Sequence, residues 1–544
     1  MNYYVDGDFS STDFCFDIKD QLFSSIYSSN NSNYSFLEPD SVTLQNIVNK
    51  SFRNIASFYN NHESIFTDFN SLEGFNPWFL EHFRLYFNFR NFLLKIASIE
   101  VFLSQFPEGK IITRDSKIGD FIELDSILLV NKKEKKRIDL SLLFHELKKI
   151  LFSKRKTFLK SDILLFESGR ADFGRLYSDF SSFTSRNILE KRTYAEKSYD
   201  SDYILKKYFL NYNWLKDFIN IKKSFNNLIK ELRSKSYNSK YDKLIVDYFI
   251  NHYKSQYLYF FRYKSFINFF KSISIKGIIV NDENSPQLKV IQYAAKLSKV
   301  KVFAYQHGTI HSLHPAYMYG YYNSKPLLAD VTFLWGKYFE ALLLKEGGYI
   351  KKSIFTCGKI QNQTTSSLNL SISKNKKVIL FATQPQRDPF LREKQIKDVM
   401  LCVKEFSDDY QLVIRPHPNE ICDDFFTKIS KSINFSDYII DRISDLHSNF
   451  DSCFLMITSF STVGTEFIPH YKPMIILDYL SQDLIGYIKK GVGIQVKNRA
   501  DLVNVLSSSI SIDKEAYDSF IEDFFFKLDN KAEERMLKRI NKEI

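Results

Sequence analysis

Short apolar runs alternate with longer amphipathic segments in the second half of the chain. Each run is followed by a turn and then by a stretch with apolar residues at helical spacing. Strict alternation of short strands and helices predicts parallel sheets that are covered by helices on both faces. The apolar runs lie at residues 277–280, 301–305, 330–335, 353–358, 377–381, 411–414, 438–440, 454–457 and 474–477.

The first half of the chain has a different pattern. Residues 1–75 are polar, rich in Asn and Ser, and weakly patterned, and we expect them to form a helical N-terminal extension. Residues 78–105 and 202–271 carry apolar and aromatic side chains at helical spacing and are predicted to be helical. Three further short strands are predicted at residues 110–113, 126–130 and 162–166.

The length of the chain, 544 residues, exceeds what one hydrophobic core usually serves, so two domains with appendages are expected. A polar segment at 361–376, rich in Gln, Asn, Thr, Ser and Lys, is a predicted linker. The expected fold is α/β, with one Rossmann-like domain at 76–360, which contains a helical insertion, and another at 361–510. Residues 511–544 are predicted to form a C-terminal helix.

Composition changes this picture in one respect, the charge. Hydrophobic content of 44% and charged content of 25% are ordinary for a soluble protein, but the net charge is +12. Residues 132–160 carry eleven basic side chains against three acidic ones, around an apolar stretch at helical spacing. Such a helix can lie on an anionic membrane surface. It can equally be a solvated helix packed on the core, and no nucleic-acid motif accompanies the charge.

Cysteine usage and hydropathy indicate the compartment. The five cysteines are scattered, with no metal-ligand spacing, which favours a reducing environment over a disulfide framework. No run reaches the roughly 18 apolar residues that a membrane span needs, and the N-terminus lacks a signal-peptide pattern. We therefore expect a cytoplasmic protein, with peripheral binding to the inner face of the cell membrane as an option.

Candidate phosphate-binding groups follow the apolar run at 411–414. Parallel α/β sheets bind their ligands at the carboxyl ends of the strands, and Arg415, Pro416, His417 and Pro418 occupy such an end. The Arg415 guanidinium can donate a forked pair of hydrogen bonds to a phosphate, and the His417 ring can donate one. The alternative is a proline-rich turn with a surface arginine.

Hydroxyl groups follow the apolar run at 454–457. Ser459, Ser461 and Thr462 precede a predicted helix, and hydroxyls with unbonded N–H groups at a helix N-terminus bind anions. Glu466 lies one turn further on, where its carboxylate could accept from both ribose hydroxyls. The alternative is helix capping by Ser461 or Thr462, with Glu466 serving the helix dipole.

A candidate general base follows the apolar run at 301–305. The ordinary pKa of a histidine side chain lies near working pH, so His307 is suited to proton transfer, and Gly308 permits a close approach or a positive φ. The spacing of His307, His311 and His314 fits one helix face. However, the neighbouring Pro315 and the missing carboxylate ligand argue against zinc, so no metal is expected.

Two further strand ends carry polar candidates. Asp282 and Glu283 end the run at 277–280 and are the rival carboxylate base, an acceptor-binding pair, or simply helix caps. Gln384 ends the run at 377–381, where a loop often contacts a diphosphate, although an ordinary turn explains it equally well. The chain lacks GxGxxG, Walker A, GxSxG and HExxH motifs, so hydride transfer, P-loop ATP hydrolysis and common hydrolase chemistry lose support.

Residues 275–540 resemble the two-Rossmann-domain glycosyltransferases of the GT-B type. Within that type, the chain is most similar to bacterial surface-polysaccharide enzymes: CDP-glycerol glycerophosphotransferases, capsular Kdo transferases and polysialyltransferases. The resemblance is carried by Gln306-His-Gly308, Arg415-Pro-His-Pro418, Ser459-Phe-Ser-Thr-Val-Gly-Thr-Glu466 followed by Lys472-Pro473, and Asp529-Asn-Lys-Ala-Glu-Glu-Arg535. Each motif is short, and the specificity of the signal comes from four of them in the right order.

The resemblance implies roles for individual residues. His307 would be the base on the N-terminal domain, Arg415, His417, Ser461 and Thr462 would contact the donor phosphates, and Glu466 would hold the ribose. The segment 511–544 would cross back to the first domain. The two domains would face each other across a cleft, the first binding acceptor and the second binding the nucleotide donor. No cofactor is expected.

Two departures from the family pattern bear on the donor. The glycerophosphotransferases usually have an aromatic residue where this chain has Gln306, and an Asp-Gly pair where it has Asp529-Asn530. These differences favour a sugar donor over glycerol phosphate.

The sequence therefore predicts a glycosyltransferase that moves a sugar, with a CMP-sugar favoured, to a cell-surface glycan such as capsule or lipopolysaccharide. Its partners would be a nucleotide-sugar donor, a glycan or lipid-linked acceptor and, through 132–160, an anionic membrane surface. The alternatives are a CDP-glycerol-type polyol-phosphate transferase, a UDP-sugar 2-epimerase, or a non-catalytic scaffold that binds glycan or membrane. The length of the N-terminal half counts against the epimerase.

Overall fold

The basic segment 132–160, His307 and Asp282 lie outside the part of the chain that the computed structural model describes. Among the described helices, none is both long enough and apolar enough to cross a membrane. The described residues are 2–4, 27–30, 33–36, 41–67, 74–108, 110–113, 116–122, 127–129, 163–166, 199–211, 213–237, 239–280, 283, 286–306, 308–312, 314–360, 375–384, 389–417, 420, 423–444, 446–459, 461–479, 483 and 485–544.

The described helices and strands have the following bounds. The strands are β1 Asn2–Tyr4, β2 Tyr27–Asn30, β3 Asn33–Phe36, β4 Lys110–Thr113, β5 Ile127–Leu129, β6 Ile163–Phe166, β7 Gly277–Val280, β8 Lys301–Tyr305, β9 Val331–Leu334, β10 Ile354–Thr356, β11 Lys377–Ala382, β12 Tyr410–Arg415, β13 Tyr438–Ile440, β14 Leu455–Thr458, β15 Met474–Leu477 and β16 Ile494–Val496. The helices are α1 Ser41–Asn61, α2 Glu63–Thr67, α3 Pro77–Gln105, α4 Tyr199–Leu210, α5 Asn213–Ser234, α6 Lys240–Ser272, α7 Pro286–Leu297, α8 Lys337–Leu342, α9 Pro389–Glu405, α10 Asp424–Ser432, α11 Leu446–Ser452, α12 Val463–Phe467, α13 Arg499–Ser507, α14 Lys514–Phe525 and α15 Ala532–Glu543.

The chain divides into two compact units. Unit 1 comprises Met1–Ile47, Asn91–Lys132 and Asn362–Phe524. Unit 2 comprises Val48–Arg90, Lys133–Gln361 and Phe525–Ile544. The four-segment domain division and the cleft expected from the sequence stay predictions.

Unit 1 contains a six-stranded parallel sheet with the order β13-β12-β11-β14-β15-β16. The chain builds outwards from β11 to β13, returns to the other side of β11 and builds outwards again to β16. This is the Rossmann order, and the reversal lies between β11 and β14. The inner strands are buried along most of their length, which explains why they appear in the sequence as continuous apolar runs.

Helices α9, α10 and α13 pack on this sheet and complete its core. Their buried apolar side chains join those of the strands in one cluster that includes Val399, Val403, Phe426 and Leu502. The predicted α/β fold with a parallel sheet is therefore confirmed for this unit.

A second sheet of unit 1 has the order β3-β2-β1-β4-β5. Strands β4 and β5 were expected, but β1, β2 and β3 lie within residues 1–75, where a helical extension was predicted. Helices α1 and α2 agree with that prediction, and the three strands do not. β1 pairs with β4 in parallel and with β2 antiparallel, so this sheet is mixed. The polar sequences of β2 and β3, Tyr-Ser-Ser-Asn and Asn-Tyr-Ser-Phe, lack the alternation that marks a strand.

Unit 2 contains a five-stranded sheet with the order β10-β9-β8-β7-β6, and every pair in it is parallel. Strands β7 and β8 flank helix α7 and form the βαβ unit that the sequence predicts. The region expected to be helical at 202–271 forms α4, α5 and α6.

Aromatic side chains build the helical part of unit 2. Trp78 is fully buried, and its ring lies 5.0 Å from Phe66, 5.6 Å from Phe58 and 6.0 Å from Phe249, measured between centroids. Such ring pairs bury large apolar areas and add about 1 kcal/mol each beyond that burial. The aromatic content of the chain therefore has a structural role in this unit.

One buried histidine in unit 2 makes its stability depend on pH. The ring of His82 is buried, with Nδ1 3.1 Å from the Phe79 carbonyl oxygen and Nε2 3.3 Å from that of Pro315. Burial, aided by the nearby Lys289 ammonium, lowers the pKa of His82 to about 3. The folded state therefore keeps His82 neutral at pH values where the unfolded chain binds a proton.

We expect unit 2 to lose stability as the pH falls below about 6.5, the pKa of an unfolded histidine, by about 1.4 kcal/mol per pH unit from His82 alone. Urea unfolding followed by tryptophan fluorescence measures this, because Trp78, Trp214 and Trp335 all lie in unit 2. The His82→Gln variant should have a correspondingly flatter dependence between pH 7.5 and 5.5. Equal slopes in both proteins would contradict the assignment.

Candidate functional site

Three loops meet at the carboxyl edge of the six-stranded sheet in unit 1. The Thr383 N–H donates to the Arg415 carbonyl at 3.0 Å, and the His417 N–H donates to the Thr383 hydroxyl at 3.2 Å. The Thr458 hydroxyl donates to the Ala382 carbonyl at 2.9 Å. The loops that follow β11 and β12 are thus joined directly by a hydrogen bond, and the last residues of β11 and β14 are bonded to each other.

The predicted donor residues lie around the point where the strand order reverses. Gln384 follows β11 on one side of this point, and Ser459 follows β14 on the other. In doubly wound sheets the loops diverge at such a point and leave a crevice that binds ligands. The sequence placed these residues at strand ends, and the strand order shows that β11 and β14 are adjacent in the sheet.

A buried carboxylate that the sequence analysis missed holds the loop after β12. Glu420 accepts from the Arg392 Nε at 2.8 Å, from the His417 N–H at 3.0 Å and from the Thr383 hydroxyl. Both charged side chains are buried, and the Arg392 guanidinium also lies over the Phe425 ring at 4.1 Å. Glu420 thereby fixes the backbone of His417 relative to β11. A lone Glu in a turn gives little sequence signal for this role.

The Arg415 side chain is anchored to the end of β13. Its Nη1 donates to the Asp441 carbonyl at 3.1 Å and lies 3.5 Å from the Asp441 carboxylate. Burial alone would raise the pKa of Asp441, but hydrogen bonds from Ser444, Asn449 and Ile443 outweigh it and hold that pKa below its usual range. A partly exposed guanidinium is therefore held at the sheet edge, and its contact with phosphate stays a prediction.

The loop after β14 is organised by Ser461 and by a buried tyrosine. The Ser461 hydroxyl accepts from the Val463 N–H at 3.3 Å, whereas Thr462, the N-cap residue of the next helix, makes no side-chain capping bond. The Tyr487 hydroxyl donates to the Ser461 carbonyl at 2.8 Å, and because a phenol has one proton, it accepts from the Thr465 hydroxyl, also at 2.8 Å. Burial raises the pKa of Tyr487 well above its usual range, so it keeps this proton.

Helix α12 is shorter than the sequence pattern suggests. It spans only Val463–Phe467, so its dipole and its set of N-terminal N–H groups are small. Thr462 is exposed, and Glu466 is half-buried within the helix. Gly464 is required here, because an added Cβ would lie 2.9 Å from the Tyr487 ring and 3.0 Å from the Met474 sulfur. The donor roles of Ser461, Thr462 and Glu466 stay predictions.

Two other side chains of unit 1 fix the surroundings of this loop. The Ser459 hydroxyl donates to the Gln395 side-chain oxygen at 3.4 Å, and the Gln395 amide donates to the Leu477 carbonyl at 3.3 Å. Gln395 therefore links the ends of β14 and β15. Lys472, part of the Lys-Pro pair in the resemblance, donates to three carbonyls at the end of α11, which places a cation at the helix C-terminus.

In unit 2 the loop after β8 is held by Gln306. Its buried amide donates to the Gly308 carbonyl at 2.9 Å, while its side-chain oxygen accepts from the Trp335 N–H at 2.9 Å. Gly308 has a φ of 65°, the positive value that the sequence suggested. His307 lies outside the described residues, so its role as base stays a prediction. The Gln306 side-chain amide thus links the segments that follow β8 and β9.

The Glu283 carboxylate is buried in unit 2. Its Oε1 accepts from the Tyr349 hydroxyl at 2.9 Å, and the Lys289 ammonium donates to the hydroxyl of the neighbouring Tyr319 at 2.9 Å. A general base has to come within hydrogen-bond reach of its substrate, and a carboxylate at this depth suits a structural role better. Its proposed partner Asp282 lies outside the described residues, and the assignment of both as bases stays untested.

His311 and His314 lie near each other in unit 2, with ring centroids 5.6 Å apart. Burial, together with the Arg90 charge, lowers the pKa of His311 to about 4. No group of three metal-ligating side chains occurs among the described residues.

The C-terminal motif explains one departure from the family pattern. Asn530 has a φ of 53°, in the left-handed region that glycine adopts freely and asparagine tolerates. The Asp529-Asn530 pair can therefore adopt the turn of an Asp-Gly pair, and this substitution does not by itself favour a sugar donor. Arg535 donates a forked pair of hydrogen bonds to Asp529, both at 2.9 Å, and a third to the Cys357 carbonyl at 2.6 Å. The Arg535 bonds to the Asp529 carboxylate lower the pKa of Asp529 to about 2.

The described strands define an α/β protein with parallel sheets, one of which has the Rossmann strand order. The solved structures to which the chain is similar include the following three. S. aureus MnaA with UDP is 14% identical (71% of this chain and 96% of that chain covered, TM-score 0.41). The N. meningitidis UDP-GlcNAc 2-epimerase bound to UDP-GlcNAc is 10% identical (70% and 99% covered, TM-score 0.43). The wall teichoic acid polymerase TagF is 14% identical (74% and 95% covered, TM-score 0.42).

No protein-family model matches the chain, and no curated protein matches it in sequence.

We expect Glu420→Ala to destabilise unit 1 by about 3–5 kcal/mol, because it removes one partner of the buried ion pair with Arg392. Glu420→Gln should cost less, since its amide oxygen still accepts from the His417 N–H. Far-UV circular dichroism during urea unfolding reports this change. Glu405→Ala is the matched control, because it removes an exposed ion pair with Arg499 worth at most about 1 kcal/mol. Equal effects at the two positions would contradict the role of Glu420.

We expect Asn530→Gly to change the stability of unit 2 by less than about 1 kcal/mol, because both residues accept a positive φ. Asn530→Val should cost about 1–2 kcal/mol or more, since its Cβ branch clashes in the left-handed region. Urea unfolding followed by tryptophan fluorescence compares the two variants. If valine were tolerated as well as glycine, the conformational explanation of Asp529-Asn530 would be wrong.

Proposed function

We propose that this protein is a GT-B glycosyltransferase that moves a sugar from a nucleotide-activated donor to a cell-surface glycan. The observation that carries the proposal is the meeting of three loops at the reversal point of the unit 1 sheet. These loops contain Gln384, Arg415 with His417, and the segment from Ser459 to Glu466. A cationic side chain, a histidine, hydroxyls and a carboxylate at one such edge suit the phosphates and ribose of a nucleotide.

In the proposed mechanism the donor phosphates bind near Arg415 and His417, which stabilise the negative charge of the departing nucleotide. Glu420 acts through the backbone of His417 and keeps this loop in a fixed position. Ser461 and Thr462 contribute hydroxyl or N–H donors, and Glu466 accepts from the ribose hydroxyls. Preorganised donors of this kind can stabilise the leaving phosphate without a bound metal.

The acceptor is proposed to bind unit 2. His307 takes the proton of an acceptor hydroxyl as its oxygen bonds to the anomeric carbon of the sugar, and the bond from that carbon to the nucleotide phosphate breaks. Gln306 positions this loop through its bonds to Gly308 and Trp335. Asp282 is the alternative base. The buried position of Glu283 makes it a less suitable one.

The preferred donor is a CMP-sugar. Asn530 adopts a glycine-like conformation, so only Gln306 still distinguishes this chain from the polyol-phosphate transferases. A CDP-glycerol-type transferase is therefore the main alternative. A UDP-sugar 2-epimerase would use a similar nucleotide site with no polymer acceptor.

Nucleotide binding tests the donor site. We expect one of CMP, CDP, UDP, GDP or TDP to raise the apparent stability of the purified protein, by about 2.7 kcal/mol at a hundredfold excess over Kd. Glu466→Ala should abolish the shift, while Glu515→Ala, an exposed acid on α14, should keep it. CMP alone would support the CMP-sugar, and CDP alone the polyol phosphate. No shift with any nucleotide would leave the scaffold as the better assignment.

Turnover separates the enzyme classes. With donor and acceptor together, a transferase releases nucleotide, whereas an epimerase converts UDP-GlcNAc with no acceptor present. His307→Ala should abolish release but retain the nucleotide-induced shift. Parallel loss of binding and turnover would contradict the base assignment.

A further inference from the structure

Exposed apolar side chains are concentrated at one place in unit 2. Four of the eleven exposed large hydrophobic side chains among the described residues lie within ten positions of each other. Leu210 is 71% exposed, Leu215 46%, Phe218 37% and Ile219 66%. Soluble surfaces usually scatter such residues, and a contiguous group marks an interaction site.

Helix α5 carries apolar residues on two faces. Its inward face, with Ile221, Phe225, Leu228 and Leu232, is buried in unit 2. Leu215 and Ile219 are four residues apart on the solvent side, next to Leu210 at the end of α4. Phe218 lies at the edge of the inward face, where its ring is 6.3 Å from that of Phe261. Burial of the inward face already accounts for the packing of this helix, and Leu215 and Ile219 lie outside the described core.

The charge around this group is strongly positive. Lys207, Lys216, Lys222, Lys223 and Lys230 are all exposed. Asp217 is the one acid between Lys206 and Lys230. It accepts from the Tyr208 hydroxyl and lies 4.0 Å from the Lys264 ammonium, so its charge is directed inwards. We name the exposed residues Leu210, Leu215, Phe218, Ile219 and these five lysines the α5 patch.

A basic depression continues the α5 patch towards the end of the helix. It is open to solvent and is lined by Asn226, Ile229, Lys230, Arg233 and Ser234. Two cationic side chains and two small polar ones surround a space in which an anionic headgroup can bind. Apolar side chains at one end of the helix and cationic ones at the other can contact the acyl and headgroup regions of one membrane leaflet at once.

We propose that the α5 patch docks this protein on an anionic lipid membrane. Outward apolar side chains flanked by lysines are the composition of a helix that lies in a membrane interface. Each lysine near an anionic leaflet strengthens binding, and the positive charge of the patch complements that leaflet. This proposal does not depend on the proposed function, and it assigns membrane contact to described residues outside 132–160.

Vesicle co-sedimentation of the full-length protein tests the proposal. Wild-type protein should bind phosphatidylcholine vesicles that contain 30% phosphatidylglycerol (about a third anionic lipid) far more tightly than pure phosphatidylcholine vesicles. Lys222→Gln with Lys223→Gln should weaken binding about 25-fold, since each lysine is worth about fivefold. Leu215→Ser with Ile219→Ser should weaken it at least tenfold, because the apolar contacts are lost.

Matched controls come from elsewhere on the surface. Ile443→Ser removes an apolar side chain that is 98% exposed, and Lys489→Gln removes an exposed lysine. Both should bind vesicles like the wild type. All four variants replace exposed side chains and should keep the wild-type thermal unfolding curve.

Three results would overturn the proposal. Wild-type protein could fail to bind anionic vesicles, both α5 variants could bind as tightly as the controls, or binding to neutral vesicles could equal binding to anionic ones. Light scattering tests whether a second copy of the chain, and not a membrane, binds the α5 patch. If the Leu215→Ser, Ile219→Ser variant dissociated an oligomer while keeping its vesicle binding, the α5 patch would be an interface between copies.

Discussion

The buried Glu420 carboxylate is the contact on which the organisation of the candidate donor edge depends. It neutralises Arg392, accepts from the His417 backbone and holds the Thr383 hydroxyl, so it joins the loops after β11 and β12. A charge at this depth is tolerated only when its partners are in place. The position of the His417 loop therefore depends on the buried ion pair between Glu420 and Arg392. Glu420 supports the residues that are proposed to contact a ligand, although it is not itself proposed to contact one.

Most of the parallel strands could be predicted from the sequence, for a physical reason. A central parallel strand is buried on both faces and appears as a continuous apolar run, so Gly277–Val280 and Met474–Leu477 were located to the residue. Strand β16, Ile494–Val496, was missed because it is an edge strand with an exposed Gln495. The pairing of Lys110–Thr113 with β1 was also out of reach, since hydrophobicity identifies a strand but does not reveal its neighbour.

The candidate site, like the fold, could be predicted from the sequence only in part. The sequence places Arg415 and Ser459 at the ends of strands, but only the strand order reveals that these two ends lie at the same part of the sheet. The supporting residues were missed because nothing in the sequence marks them. Tyr487 acts by donating its hydroxyl proton to the Ser461 carbonyl, and Gln395 acts because its amide can accept one hydrogen bond and donate another. Such roles depend on distances between segments far apart in the chain, which a linear pattern does not contain.

The outward apolar group of α5 has a consequence for handling the protein. Exposure of the apolar side chains of Leu210, Leu215 and Ile219 to water is unfavourable in free energy, and contact between two such surfaces reduces that exposure. The lysines around them oppose this association by mutual repulsion, which added salt screens. Concentrated samples in high salt will therefore self-associate reversibly, and low ionic strength or mild detergent is the condition in which single molecules persist.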